Sequence, residues 1–414
     1  MVNQILLTYN PSKVMAGVTA SGDMSYYFLA ASLNELLNIN KVFRIALDNE
    51  GVLVKEIQHD KGLDSIIKQI TSAEFIWHDF NLLYRQLGTE FRKDRNAQLK
   101  KVQDICEIIK KCGKLPKSHG IRDFLNSFDK VQVVRYLAEK EIPVPKTQEV
   151  DEYLLGEKKV PIVLKFNTGT RGSNIFFVES IDQLVKYFDR DFYREGIRQS
   201  LNVDLNQYDN TLPDKDDYHI SEFIDSPSDH YTHFRILTFR DQILGAVLNY
   251  SSNKKSDETR IDEPYGKGIP GYIPNWTTSK ESPMYLGWKS IISNHAAGAT
   301  QIPITITSES KKITSYEQVI LESHGINPSK PELPLRLYNF AKKVGIIFSK
   351  QGTSYLGQDW IMDKNGNFYC LEVNDWSGMD AFNVTHNHGN TDEREGVRVG
   401  YQILAKAIKN YQPE

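Results

Sequence analysis

The sequence predicts a mixed α/β (α+β) protein, and three observations predict it. Apolar runs and helical spacing alternate in βαβ-like order from Ile5 to Trp77. Three later stretches, VPIVLKFNTGTRGSNIFFV, FRILTFRDQILGAV and GQDWIMDKNGNFYCLEVN, each read as two strands about a turn-rich middle. Two long segments, Glu332 to Phe348 and Val397 to Ile408, read as helices. A chain of 414 residues has room for two or three domains.

In order along the chain, Ile5 to Tyr9 is a first strand, ended by Asn10-Pro11-Ser12. Met24 to Leu37 carries Phe28, Leu29, Leu33 and Leu36 at helical spacing. Val42 to Leu47 and Val52 to Ile57 read as strands about Asp48-Asn49-Glu50-Gly51. Leu63 to Ile70 is helical and Phe75 to Trp77 extended. Tyr84 to Lys111 is a charge-laced helical region, either a solvated face or a source of cations for a substrate carboxylate. Gly113 to Gly120 reads as a linker, closing a small α/β unit over residues 1–118.

Phe128 to Glu139 is helical and is stopped by Ile142-Pro143-Val144-Pro145. Ile162 to Phe166 and Ile175 to Val178 form a hairpin. Asp182 to Tyr193 reads as one helix, Glu195 to Asp217 as polar and irregular, and Tyr218 to Ile224 as a strand. Phe234 to Phe239 and Gln242 to Leu248 pair around Arg240-Asp241. Asn249 to Ser290 is a long Pro-, Gly- and aromatic-rich segment expected to pack on itself. Ile291 to Ala299 returns to sheet-like character.

The chemistry concentrates in Gly357 to Gly378. Asn365-Gly366 is a hairpin signal, so Asp359 on one strand lies beside Glu372 and Asn374 on the next. Glu372 and Asn374 are two apart and share a face. Two carboxylates and an amide oxygen are hard ligands that suit Mg²⁺ with substrate phosphates; a surface hairpin with an acidic edge is the alternative. Lys165 ends an apolar strand, Ile162-Val163-Leu164, and is costly to bury there without an anion. The Gly/Thr/Ser-rich loop Asn167 to Asn174 can lay amides and hydroxyls over phosphates, though it lacks a Walker sequence. Lys130, at a helix start, joins backbone amides in attracting an anion, or is simply solvated. Glu222, Phe223 and Ile224 are candidates to meet an adenine edge, and Asp225 and Asp229 to meet ribose hydroxyls. Arg235, inside an apolar strand, wants a carboxylate or phosphate.

Composition narrows the class. A net charge of −3 offers no basic patch for nucleic acid. Three cysteines, Cys106, Cys112 and Cys370, without metal-ligand spacing, predict a reducing cytoplasmic setting and no disulfide framework. No apolar run is long enough to span a membrane, and the N-terminus lacks the pattern of a signal peptide.

Taken in order, FDK with a helix ending in IPVPKT, VLKFNTGTRGS, SEFI, FRILTFRDQILGAV, SNHAAG and GQDWIMDKNGNFYCLEVN resemble the ATP-grasp carboxylate–amine ligases. The nearest members are glutathione synthetase, the RimK-type glutamate ligases and the bacterial L-amino-acid ligases. The resemblance covers residue 115 to the end. It implies a Rossmann-like unit over 1–118, a central lid domain over 119–225 and a C-terminal catalytic domain over 226–414, the last two sandwiching ATP. It implies that Lys130 and Lys165 hold the ATP phosphates under a lid containing Thr170, Gly172 and Ser173. Glu222, Phe223, Ile224 and Asp229 would bind the nucleoside, and Asp359, Glu372 and Asn374 would hold Mg²⁺ as two ions, with Mn²⁺ a possible substitute. Arg235 and Asn294 would act on the transferred phosphoryl group and acyl substrate, with Gly298 beside Asn294.

Two departures matter. The family's usual arginine soon after the catalytic strand is missing, with Arg260 as a substitute. Gly357-Gln358 stands before Asp359 where D-alanine ligases carry an arginine, which argues against that activity. Asp375, Trp376, Asp380, His386 and His388 follow the metal motif and are substrate-pocket candidates, although the acids can equally cap turns. The implied reaction joins a carboxylate to an amine through an acyl phosphate, releasing ADP and phosphate. The first choice of product is a dipeptide from two free L-amino acids. The alternatives are a peptide or other biosynthetic acid as substrate, or a non-catalytic nucleotide-binding regulator. The expected partners are small molecules, not nucleic acid or membrane, with a homodimer possible.

Overall fold

A computed structural model describes residues 5–8, 55–57, 63–78, 104, 106–120, 130–167, 175–200, 212–257, 282–288, 291, 299–304, 306, 319, 321–326, 332–374 and 393–411. Over these residues the chain is a mixed α/β fold with one parallel and two antiparallel sheets. The expected helix over Met24 to Leu37 and strand over Val42 to Leu47 lie outside them.

The first sheet has the order β2-β1-β3-β4, with β1 Ile5–Thr8, β2 Lys55–Ile57, β3 Phe75–His78 and β4 Ser118–His119. Helix α1, Leu63–Ser72, links β2 to the parallel strand β3. The expected linker at Gly113 to Gly120 is corrected here, because Ser118 and His119 are buried and pair with Ile76 and Trp77. Buried backbone needs partners, and this stretch finds more of them further along. The Ser354 hydroxyl donates to the Ser118 carbonyl at 2.6 Å, and the Tyr355 amide donates to His119 Nδ1 at 3.1 Å. The segment therefore fastens the first sheet to a later one.

The second sheet has the order β5-β8-β6-β7, with β5 Thr147–Glu149, β6 Ile162–Phe166, β7 Ile175–Val178 and β8 Tyr218–Glu222. Helix α2, Lys130–Glu139, precedes it, and α3, Val150–Leu155, follows β5. The single helix expected over Asp182 to Tyr193 is two helices, α4 Ile181–Tyr187 and α5 Arg190–Ser200. The break falls at Asp189, whose carboxylate accepts from the Asp191 amide at 2.8 Å and so starts a new helix. The supposedly irregular stretch from Glu195 thus opens in α5, and a 3-10 turn at Lys215–Asp217 closes it. Leu164, Phe176, Tyr187, Tyr218 and Ile220 form the core, with Trp288 packed among them. Met284 packs on Tyr193 and Ile197. The long segment expected to fold on itself therefore starts as the end of a strand and finishes against this sheet; residues 258–281 are outside the description.

The third sheet has the order β11-β10-β9-β12-β13, with β9 His230–Phe239, β10 Gln242–Lys254, β11 Thr300–Pro303, β12 Tyr355–Met362 and β13 Phe368–Asn374. The sheet-like character expected over Ile291 to Ala299 lies outside the described residues at 292–298; β11 begins just beyond it. Helix α6, Glu332–Lys350, covers one face with Leu337, Ala341, Val344 and Phe348 against Phe234, Ile236, Leu248, Leu356 and Trp360. A Cβ on Gly345 would land on the Arg240 carbonyl oxygen, so the close seating of α6 requires glycine there. Gln358 is fully buried on this face, and its amide is satisfied by Thr238, the Ala341 carbonyl and the Trp360 indole, each at 3.0 Å. The last helix is α7, Glu393–Asn410. Period-two alternation turns His233, Arg235, Asn249 and Asp359 to the opposite face, and the register places Asp359 between Arg235 and Glu372.

Candidate active site

Charged side chains from four elements, β9, β12, β13 and α2, meet on that opposite face. Arg235 grips Asp359 with a two-point contact: Nε to Oδ1 and Nη2 to Oδ2, both 2.8 Å. Burial alone would raise the Asp359 carboxyl, but the Arg235 guanidinium outweighs it and holds the group below the usual carboxylate range. Beside it, Lys130 Nζ at the start of α2 lies 3.0 Å from Glu372 Oε1. Glu372 is directly opposite Asp359, while Asn374 stands opposite Gly357, two residues along the same face.

Lys165 comes from the second sheet. Among the described residues its ammonium has no hydrogen bond or ion pair, yet it lies within electrostatic reach of Glu372, Lys130 and Asp359. Burial pulls its ammonium down to about 8; Glu372 opposes the shift and Lys130 adds to it. A cation held among protein groups without a counter-ion is a site built for an anion. The site thus combines two cations, Lys130 and Lys165, with three hard-oxygen side chains, Asp359, Glu372 and Asn374.

The oxygen set fits Mg²⁺ in its chemistry: two carboxylates facing each other across a strand pair, with an amide oxygen one step along. Both carboxylates are met by the chain's own cations, so a metal ion has to compete with Arg235 and Lys130 for them.

The Glu222 amide donates to the Lys146 carbonyl at 2.8 Å, Phe223 packs on Phe177 with centroids 4.7 Å apart, and Ile224 is buried. Asp225, a candidate for the ribose hydroxyls, is held by two lysines: Lys255 Nζ reaches one carboxylate oxygen at 2.7 Å and Lys364 the other. Each oxygen keeps a further acceptor site. Asp229 stays exposed and its carbonyl accepts from the Lys255 amide at 2.6 Å. Thr170, Gly172, Ser173, Arg260, Asn294, Gly298, Asp375, Trp376, Asp380, His386 and His388 lie outside the described residues.

Sequence reasoning passed over His233. It lies two residues from Arg235 on the same strand face, with Nε2 3.7 Å from Asp359 Oδ1. Gln301 Nε2 donates to Asn249 Oδ1 at 2.9 Å, so the Asn249 amide nitrogen, 3.0 Å from His233 Nε2, is the donor there. Burial pulls His233 down to about 4, and the ring is neutral. The signal that could have found it is the period-two spacing from Arg235.

No family model matches the chain, and no curated protein matches it in sequence. Solved structures with a similar course exist. ATP-grasp ligase PsnB complexed with a minimal precursor is 12% identical at TM-score 0.46, covering 98% of this chain and 100% of that one. D-alanine–D-alanine ligase from Bacillus anthracis is 13% identical at TM-score 0.40, covering 98% and 99%. N5-carboxyaminoimidazole ribonucleotide synthetase from Thermotoga maritima is 8% identical at TM-score 0.45, covering 100% and 77%. Likeness this distant carries no functional argument, which has to come from the side chains.

Proposed function

We propose that the chain is an ATP-dependent carboxylate–amine ligase of the ATP-grasp type, joining its substrates by an amide bond and releasing ADP and phosphate. The observation that carries this reading is Lys165: an ammonium with no ion pair among the described residues, within electrostatic reach of Lys130 and of the hard-oxygen pair Asp359 and Glu372. ATP–Mg²⁺ is the ligand whose charges complement both sets.

In this reading Lys130 and Lys165 bind and orient the phosphates. A substrate carboxylate oxygen attacks the γ-phosphorus, the bond to the β-phosphate bridging oxygen breaks, and ADP leaves. The amine nitrogen then attacks the acyl carbon, the bond to the phosphate oxygen breaks, and the amine gives up its proton to solvent. Arg235 lies beside Asp359 and supplies positive charge near the transferring group. Mg²⁺, when held by Asp359, Glu372 and Asn374, supplies charge neutralisation at the phosphates. The chain's residues work by position and electrostatics, with no covalent nucleophile. Residues 119–225 and 226–414 are assigned to the two halves of the grasp.

For substrates, two free L-amino acids are the first pair to try, with a peptide or other biosynthetic acid as the second class. The test is ATP turnover with Mg²⁺ across the twenty amino acids, singly and in pairs, and then across short peptides, with mass spectrometry of products. ADP release that requires two substrates, with a product lighter than their sum by one water, supports the ligase. ATP binding without turnover on either panel moves the chain to the nucleotide-binding regulator.

A further inference from the structure

Beside Lys165, on the same face of the second sheet, lies a pair that the ligase reading leaves without a role. His219 on β8 stands directly opposite Lys165 on β6, and only 1% of its surface is exposed. Its Nδ1 is 2.7 Å from the side-chain oxygen of Asn167, two residues past Lys165. The Asn167 amide nitrogen is already committed, donating to the Asp216 carbonyl at 2.9 Å, so the Asn167 oxygen is an acceptor and His219 Nδ1 carries the hydrogen. The Asn167 main-chain amide donates to the Asp217 carbonyl at 2.8 Å. Three bonds thus clamp the end of β6 to β8 and to the turn before it. The His219 ring is neutral, held far below its ordinary value by burial and then by Lys165 and Lys130, so it adds no positive charge beside the two lysines.

We propose that His219 and Asn167 are positioning residues that fix the end of β6 so that the Lys165 ammonium stays aimed at the phosphate side of the site. The inference rests on the reading that Lys165 receives ATP phosphate. An ammonium on a four-carbon stem has freedom to swing away; fixing the backbone just beyond it, at Asn167, holds the root of that stem in place before the nucleotide arrives.

The test is equilibrium binding of ATP and of adenosine to the full chain and to three variants: His219→Leu, His219→Asn and Asn167→Ala. Asn at 219 keeps an N–H near the Nδ1 position, and Leu does not. His219→Leu and Asn167→Ala are expected to weaken ATP by about tenfold, the worth of one well-placed hydrogen bond. Adenosine should change by less than about twofold, and His219→Asn should recover most of the ATP affinity. A structural role alone would weaken both ligands together, and that result, or an unchanged ATP affinity, overturns the assignment while leaving the ligase reading intact. A parent chain that binds no ATP overturns the ligase reading and this inference with it.

Discussion

The two sides of the site solve opposite electrostatic problems. On the third sheet the acids are in ion pairs: Arg235 takes both oxygens of Asp359, and Lys130 of α2 reaches Glu372. On the second sheet the Lys165 ammonium has no ion pair among the described residues, only the longer-range attraction of Glu372 and Asp359. The first arrangement holds the sheet together as it stands. The second costs stability and makes sense only if an anion supplies what is missing. Paired charges mark where the fold is closed, and the lone one marks where a ligand completes it.

Breaking the lone side should remove function and spare the fold. Lys165→Met is expected to lower turnover by about a thousandfold, as removal of a charge-stabilising donor does, while the melting temperature stays level or rises. A parallel fall in melting temperature would mean that Lys165 has a structural partner. Breaking the paired side should do the reverse to the fold. Arg235→Met strands Asp359, which is only 8% exposed, and should cost about 3 kcal/mol in a denaturant titration.

The same substitution sharpens the comparison through metal binding. Arg235 and the metal compete for Asp359, so Arg235→Met should tighten Mn²⁺ binding to the nucleotide-free chain by about tenfold, read by electron paramagnetic resonance. Weaker Mn²⁺ binding in that variant would show that Arg235 supports the ligands and does not compete for them.

A further effect is on stability against pH. The Lys165 ammonium is pulled down from 10.5 to about 8 in the folded chain. Between those two values the unfolded chain binds the extra proton, so this group's contribution to stability rises with pH across that window and is flat below it. Lys165→Met should flatten the contribution, measured as the difference between the two chains' unfolding free energies at each pH.

Much of the site was legible because strand periodicity and hairpin chemistry are local. Asn365-Gly366 fixes the β12–β13 turn, with Gly366 at φ 83°, and so brings the two strands together; a bulge between Asp359 and Trp360 then puts Asp359 opposite Glu372, where the turn register alone would give Leu371. Lys165 was legible as an oddity at the end of an apolar run. Long-range pairing was not legible. Nothing local says that Arg235 will choose Asp359, that Lys255 and Lys364 will both claim Asp225, or that Ser118-His119 will act as a strand against Trp77. The break between α4 and α5 was local, but the Asp189 cap sits inside a pattern whose apolar spacing continues through it. His219 was hidden for a further reason: its meaning depends on which strand lies beside β6, and β8 follows only after many intervening residues.

The central claim is that the missing counter-ion of Lys165 is the phosphate chain of ATP. Calorimetric titration of ATP–Mg²⁺ into the full chain and into Lys165→Met, at pH 7 and pH 9, tests it most directly. The account predicts binding to the parent chain at both values, weaker at pH 9 where free Lys165 has lost its proton, with proton uptake on binding there. It predicts that Lys165→Met binds weakly and without that proton uptake. ATP binding to Lys165→Met that matches the parent at both pH values would contradict it.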